Sequence, residues 1–383
     1  MHIRDLERTH VYHSPQYPGY TCWCGLSNMP DDSLMCSFTQ AAGPFKGRPK
    51  APEEVRRALD WPPEMSELEF QRTGDEYDMT GLDLCNMHLR SEDRGRSWQF
   101  VSADPFRTCM NGITGEAETA LSDGTLLRGV WGMYLPYDEA PRNGYLQRSA
   151  DGARTWGEPE TIFDDDDYLY WPKRIRELSD GRVLVGGGLI RRRAEHASRR
   201  GWFKDITMAL FVSGDNGRSW SGPIDTVPQA QKNEDLGLSE EFDWAELDNG
   251  DLLLVMRADG HPDGPHRMQT RLVRRGSTWE TSAVEEAPFP HSGHPEMLAT
   301  REGVILHVAT TGISWTTDEG GTWRDLELDD GLQEIRGEPA VGYYPKSVQM
   351  ADGEVFIVGH VGGDDGYGCV DQSIVAVRFF LGG

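Results

Sequence analysis

The sequence predicts an all-β fold, a six-bladed β-propeller of four-stranded antiparallel blades, from three observations. A turn of eight residues ending in tryptophan is repeated along the chain, a second type of hairpin alternates with it, and the composition is that of strands and turns. The tryptophan turn is clearest at Ser213-Gly214-Asp215-Asn216-Gly217-Arg218-Ser219-Trp220. It recurs from Ser91 to Trp98 and from Thr316 to Trp323. It is looser from Ser149 to Trp156, where Ala153 replaces the second glycine, and a remnant spans Leu272 to Trp279. The Asp can accept hydrogen bonds from backbone N–H groups farther along the turn, the glycine permits positive φ, and the hydroxyl residue adds a local bond. The Trp then buries a broad apolar face between units. Such fixed-offset similarity indicates a repeat architecture.

The second hairpin occurs at Met29–Leu34, Leu121–Leu126, Leu178–Val183, Leu247–Leu252, Ala299–Val304 and Met350–Val355, most copies carrying Asp-Gly or Asn-Gly between apolar runs. Hairpin and tryptophan turn alternate, except that none follows the sixth hairpin. A unit of four antiparallel strands explains this, with the hairpin between strands 1 and 2 and the tryptophan turn between strands 3 and 4. Such units close radially and leave only short protected edges. The blades are expected at roughly 14–104, 112–163, 168–227, 238–286, 290–328 and 340–381, in one domain spanning 1–383. An insertion at about 42–77 enlarges blade 1 and contains a short helix from Ala51 to Leu59, with Pro near its first turn. Leu189 to Phe203 and Asp164 to Asp167 read as further loops, the usual carriers of specificity.

With 44 glycines and 12 tryptophans among 383 residues, the composition favours strands over helices. A formal charge of −25, from 63 acidic and 38 basic residues, disfavours nucleic acid and anionic membranes as partners. Of six cysteines, Cys22 and Cys24 have the wrong spacing for a zinc knuckle and no second close pair accompanies them, so no cofactor and no cysteine-bound metal is expected. No apolar leader segment opens the chain and no apolar run is long enough to span a bilayer as a helix, which gives the expectation of a cytoplasmic protein with reduced thiols.

In a propeller, strand 1 of each blade is innermost and begins at the face opposite its hairpin. Counting nine residues back from each turn gives Cys24, Gly115, Pro172, Glu241, His294 and Tyr344. Seven back gives Leu26, Ala117, Arg174, Asp243, Glu296 and Lys346, while Glu116, Trp171, Glu240 and Tyr343 are neighbours. Strand 2 returns to the same face, which brings Trp131, Gly188, Arg257, Thr310 and His360 towards it. The third strand of blade 1 would place Asp78 and Asp83 there. Polar groups at half-buried axial positions are costly unless they are hydrogen-bonded. The set expected to bind substrate is therefore Arg257, Arg174, Glu116, Trp171, Trp131, His294, His360 and Lys346.

The tryptophan turn resembles the Asp-box, or BNR, repeat of the sialidase superfamily, and six hairpins match that family's six-bladed propeller over nearly the whole chain. Glu241-Phe242-Asp243-Trp244-Ala245-Glu246-Leu247, followed by Asn249-Gly250 and ending at Arg257, is similar to a family segment that starts with the catalytic glutamate and ends with a substrate-carboxylate arginine. Tyr344 falls where the family has its tyrosine nucleophile. Asp83, or less well Asp78, falls where it has its acid/base aspartate. A tyrosine is a poor nucleophile at its ordinary pKa, so a carboxylate beside it would take its proton. Sialidases are the tyrosine exception among two-carboxylate glycosidases.

The chain departs from the family in three places. Cys22-Trp23-Cys24 stands where the family has Arg-Ile-Pro, His307–Thr311 contains no counterpart of the third arginine, and Pro345 follows Tyr344 where a serine is usual. The resemblance then implies an exo-acting glycoside hydrolase on a glycan other than sialic acid. His291, His294 and His360 leave two further expectations open, a lyase using His294 and Tyr344 or a divalent metal held by His291, His294 and a carboxylate. A non-catalytic sugar-binding propeller is the remaining alternative.

Overall fold

In the computed structural model, the described residues are 1–15, 21–41, 84–106, 113–131, 143–192, 206–261, 263, 266–289, 293–310, 312–328, 334–335, 338–339, 341–361 and 373–382. Six antiparallel sheets form the blades, and helix among the described residues is limited to a single turn of 3-10 helix at Gln229–Gln231. None of their helices is long and apolar enough to cross a membrane. The insertion at 42–77, with the helix expected at Ala51–Leu59, lies outside the described residues.

Blades 1, 3, 4 and 5 each run outward in chain order from an innermost strand: Thr21–Asn28, Tyr168–Glu177, Phe242–Glu246 and Glu296–Ala299. Blade 2 runs from Ile113–Ala120 through Leu126–Val130 to Tyr145–Ser149, with a single further bridge between Leu146 and Glu160. Blade 6 corrects the expected boundaries. Its strands Tyr343–Gln349, Glu354–Val361 and Ser373–Gly382 are followed on the outside by His2–His13, from the start of the chain. The sixth hairpin has no tryptophan turn after it because no chain link joins the third and fourth strands of that blade. This pairing covers the edge that an open blade would expose.

The cores lie between blades. Phe242, Trp244 and Leu254 of blade 4 pack with Leu184 and Leu210 of blade 3, while Leu34, Cys36 and Phe38 of blade 1 pack with Phe356 and Val358 of blade 6. Each tryptophan of a turn leans on the preceding blade. Trp323 of blade 5, for example, donates its indole N–H to Gln269 Oε1 of blade 4 at 2.9 Å.

The four complete turns share one hydrogen-bond pattern. In the Ser213–Trp220 copy, Ser213 Oγ donates to Asp215 Oδ1 at 2.7 Å, Gly217 N donates to Ser213 Oγ at 2.7 Å, and Ser219 N and Oγ donate to Asp215 Oδ1 and Oδ2 at 2.8 and 2.6 Å. Two consecutive residues take positive φ in each copy: Arg94-Gly95, Gly152-Ala153, Asn216-Gly217 and Glu319-Gly320.

Candidate active site

One end of the axis gathers side chains from the innermost strands of blades 3 to 6. Glu241 immediately precedes strand Phe242–Glu246 and lies across the ladder from Arg257, whose backbone N–H donates to the Glu241 carbonyl at 2.9 Å. The pairing brings their side chains together, with Arg257 Nη1 donating to Glu241 Oε2 at 2.6 Å. The other oxygen, Oε1, accepts the Tyr344 hydroxyl at 3.2 Å. Lys173 Nζ sits 3.6 Å from this same Oε1 and 3.6 Å from Glu240 Oε1. Burial alone would raise the Glu241 carboxyl, but Lys173, the His294 imidazole and Arg257 outweigh it and hold the group well below the usual carboxylate range.

Tyr344 reaches Glu241 because its backbone is bulged. Between Tyr343, opposite His360, and Lys346, opposite Val358, the inner strand carries one extra residue, and Tyr344 has φ +48°. Gly359 permits this, since a Cβ there would fall 2.1 Å from the Val341 carbonyl oxygen. A bulky residue in the left-handed region costs about 1–3 kcal/mol, a strain that persists only where surrounding structure enforces it and that clusters at functional sites. The imidazoles of His294 and His360 stack on the tyrosine ring, with centroids 5.2 and 5.8 Å away.

His294 is buried between Arg174 and Glu241. Arg174 Nη2 donates to Nε2 at 2.9 Å, which leaves the ring proton on Nδ1, 3.4 Å from Glu241 Oε2. Beneath it lies a second layer of charge. Arg174 Nη1 donates to Glu296 Oε2 at 2.5 Å, Arg176 Nη2 to Asp243 Oδ2 at 2.5 Å, and Ser347 N and Oγ to Glu296 Oε1, both at 2.9 Å. Lys346 Nζ lies 3.3 Å from Glu296 Oε2. Burial, reinforced by Arg174, pushes the Lys346 ammonium down to about 8, with Glu296 opposing the shift.

Tyr344, Glu241, Arg257, His294 and His360 of the expected set thus form one contiguous cluster. Arg174 and Lys346 lie behind it, both paired with Glu296. Trp131 and Trp171 stack on each other with centroids 5.1 Å apart, only 2% and 1% exposed. Asp78, Asp83, His291 and the side chain of Glu116 lie outside the described residues. Among the described residues, no group of three or more His, Cys, Asp or Glu is disposed to hold a metal ion.

Sequence reasoning missed Lys173, Asp259 and Arg267. Lys173 stands eight residues before Gly181, a position the count from the turn already reaches, and a bulge in the pairing of its strand with Val183–Arg191 sets it out of register. Asp259 takes hydrogen bonds from Arg257 Nε at 2.5 Å and from Arg267 Nη1 at 3.4 Å. The count also misplaced blade 1. In its turn Asp32, with φ +64°, occupies the place that Gly124, Gly181, Gly250, Gly303 and Gly353 fill elsewhere, yet the count began at Ser33. Nine residues before Asp32 is Trp23, which is therefore level with Tyr344 in place of Cys24.

No family model matches the chain, and no curated protein matches it in sequence. Solved structures do resemble its fold. A protein of unknown function from Dyadobacter fermentans superposes with a TM-score of 0.63 at 17% identity, covering 99% of each chain. The α-L-arabinofuranosidase of Fusarium graminearum in complex with arabinobiose gives 0.60 at 12%, covering 97% of this chain and 96% of that one. The intramolecular trans-sialidase of Ruminococcus gnavus, in complex with oseltamivir carboxylate, gives 0.56 at 11%, covering 96% and 97%. At such identities the likeness shows the fold alone, the six-bladed propeller.

Proposed function

We propose that this chain is an exo-acting glycoside hydrolase of neutral glycans, with Tyr344 as nucleophile and Glu241 as its base. The observation that carries the reading is the 3.2 Å hydrogen bond from the half-buried Tyr344 hydroxyl to a carboxylate kept ionised by the cations around it. In the first step the Tyr344 oxygen attacks the anomeric carbon, its proton passes to Glu241 Oε1, and the glycosidic bond breaks as a general acid protonates the departing oxygen. The sialidase resemblance assigns that acid to Asp83 or Asp78. In the second step water attacks the anomeric carbon and gives its proton to the conjugate base of that acid, while the bond to Tyr344 breaks and Glu241 returns its proton to the phenolate oxygen.

The neutral character of the substrate is supported by charge balance. Around Glu241 three cations, Lys173, Arg257 and Arg267, meet three carboxylates, Glu240, Glu241 and Asp259. Arg257, the arginine expected to take a substrate carboxylate, is bonded to both Glu241 and Asp259. The arabinobiose complex of a neighbour makes arabinose-containing oligosaccharides the first substrates to try. The lyase reading is less well supported, because both nitrogens of His294 face protein partners and its ring stacks on Tyr344.

The test is turnover of aryl α-L-arabinofuranosides and aryl sialosides by the wild type, Tyr344→Phe and Glu241→Gln. The expected result is cleavage of the neutral glycoside, no ultraviolet-absorbing elimination product, and a fall of about 10³-fold or more in either variant, equal to roughly 4 kcal/mol of barrier. Full turnover by both variants would sink the mechanism. Turnover of the sialoside at about 1 per second or faster would sink the substrate class.

A further inference from the structure

The turn geometry that re-registers blade 1 gives Tyr344 a counterpart. The inner strands of blades 1 and 6 each end in a hairpin, at Asn28 and Gln349, and Trp23 and Tyr344 both stand five residues before those ends. Each strand breaks register at this level by one extra residue, between Cys22 and Gly25 in blade 1 and between Tyr343 and Lys346 in blade 6. Trp23 has φ +52° and Tyr344 has φ +48°. They are the two aromatic residues with positive φ among the described residues. The same bulge, backbone conformation and level give the two Cα–Cβ bonds the same direction, and blades 1 and 6 are neighbours in the ring, with Trp23 8% exposed and Tyr344 half-buried.

We infer that Trp23 is a specificity-determining residue of the site, its indole forming the wall beside Tyr344 against which the apolar face of a neutral sugar ring packs. The inference deepens the hydrolase reading and rests on its placement of the sugar at Tyr344. Three of the six positions at this level, Glu241, His294 and Tyr344, already meet in one cluster, and Trp23 holds the same level in the neighbouring blade. An indole offers a broad, rigid apolar face at little conformational cost. The left-handed backbone is strained for a bulky residue, and strain of this kind clusters at functional sites.

The test is calorimetric titration of arabinobiose, and separately of the anionic inhibitor oseltamivir carboxylate, into the wild type, Trp23→Phe, Trp23→Ala and Tyr344→Phe. Thermal unfolding of each variant checks folding. Arabinobiose should bind the wild type, Trp23→Phe within about threefold of it, and Trp23→Ala about tenfold more weakly, the size expected for loss of one aromatic face. Oseltamivir carboxylate should bind none of them measurably. Equal affinity in wild type and folded Trp23→Ala, failure of arabinobiose to bind any form, or binding of the anion alone would each overturn the inference. Should Trp23→Ala fail to fold, Trp23→Phe decides, with a loss of tenfold or more ruling out an interchangeable aromatic wall. Tyr344→Phe keeps the failures apart: it should retain arabinobiose binding, so loss of turnover there tests the nucleophile and loss of affinity in Trp23→Ala tests the wall.

Discussion

The tryptophan turns and the axial cluster both hold carboxylates with hydrogen-bond donors, but over very different distances along the chain. Asp93 is held by Ser91 and Ser97, within one turn, at 2.8 and 2.6 Å. Local bonds of this kind pull its pKa down to about 2 although the group is exposed. Glu296 on the axis is fully buried and is held by Arg174, 122 residues away, and by Ser347, 51 residues away. Burial would raise its pKa, but Lys346, Arg174 and Arg176 bring it well below the usual range. A turn is complete in itself and can be copied, whereas the axial cluster exists only once the ring has closed.

This contrast gives the largest expected effect. Glu296→Gln should destabilise the protein by about 3–5 kcal/mol in denaturant unfolding, because it leaves Arg174, Arg176 and Lys346 facing the single carboxylate of Asp243. Lys346→Met removes a cation from the same cluster and should be neutral to mildly stabilising. A loss below about 1 kcal/mol in Glu296→Gln would show that the axial charges are as independent as those of the turns.

The same difference explains what could be read in the sequence. The blades were legible because each turn is written in eight consecutive residues, and Tyr344, Glu241 and Arg257 were reached by counting from those turns. The closing strand His2–His13 was not, since its partner Ser373–Gly382 stands at the other end of the chain and shares no turn with it. Trp23 was missed because Asp32 replaces a glycine, and the count slipped by one residue. Lys173 is bulged out of register, and Arg267 pairs through Asp259 and the Gly293 carbonyl, contacts that no local pattern encodes.

A smaller effect separates the regions by pH. Lys346 titrates at about 8 in the fold and at about 10.4 in an unfolded chain, so between these values the unfolded chain binds the additional proton. The cost of the buried ammonium is fully present below pH 8 and is relieved as pH rises, by an amount on the order of 3 kcal/mol in total. Unfolding free energies of wild type and Lys346→Met, measured side by side from pH 7 to 10, should show the wild type gaining on the variant. A constant difference across that range would show that Lys346 is not held down by its surroundings.

The smallest expected effects lie in the turns, and there the balance of terms can be followed at a single methyl group. Ala153 has φ +66° where the other three complete turns have glycine, a conformation that costs an L-residue roughly 1–2 kcal/mol. Replacing it with glycine removes that strain but frees the unfolded chain by about 0.4–1 kcal/mol. The change also withdraws a fully buried methyl from Met29, Met35 and Leu126, worth about 0.8 kcal/mol. These terms nearly cancel, and Ala153→Gly should change stability by less than about 1 kcal/mol. The reverse change at Gly217 adds a Cβ 3.1 Å from Trp220 and 3.2 Å from Leu127 at φ +73°. It incurs the strain where Trp220 and Leu127 must also shift slightly to admit the methyl, so Gly217→Ala should cost about 1–2 kcal/mol. Thermal unfolding of the two single variants and the double variant should show additive shifts, as expected for self-contained turns. Coupling above about 0.5 kcal/mol would mean that the turns communicate through the blades they join, and would erase the distinction between them and the axis.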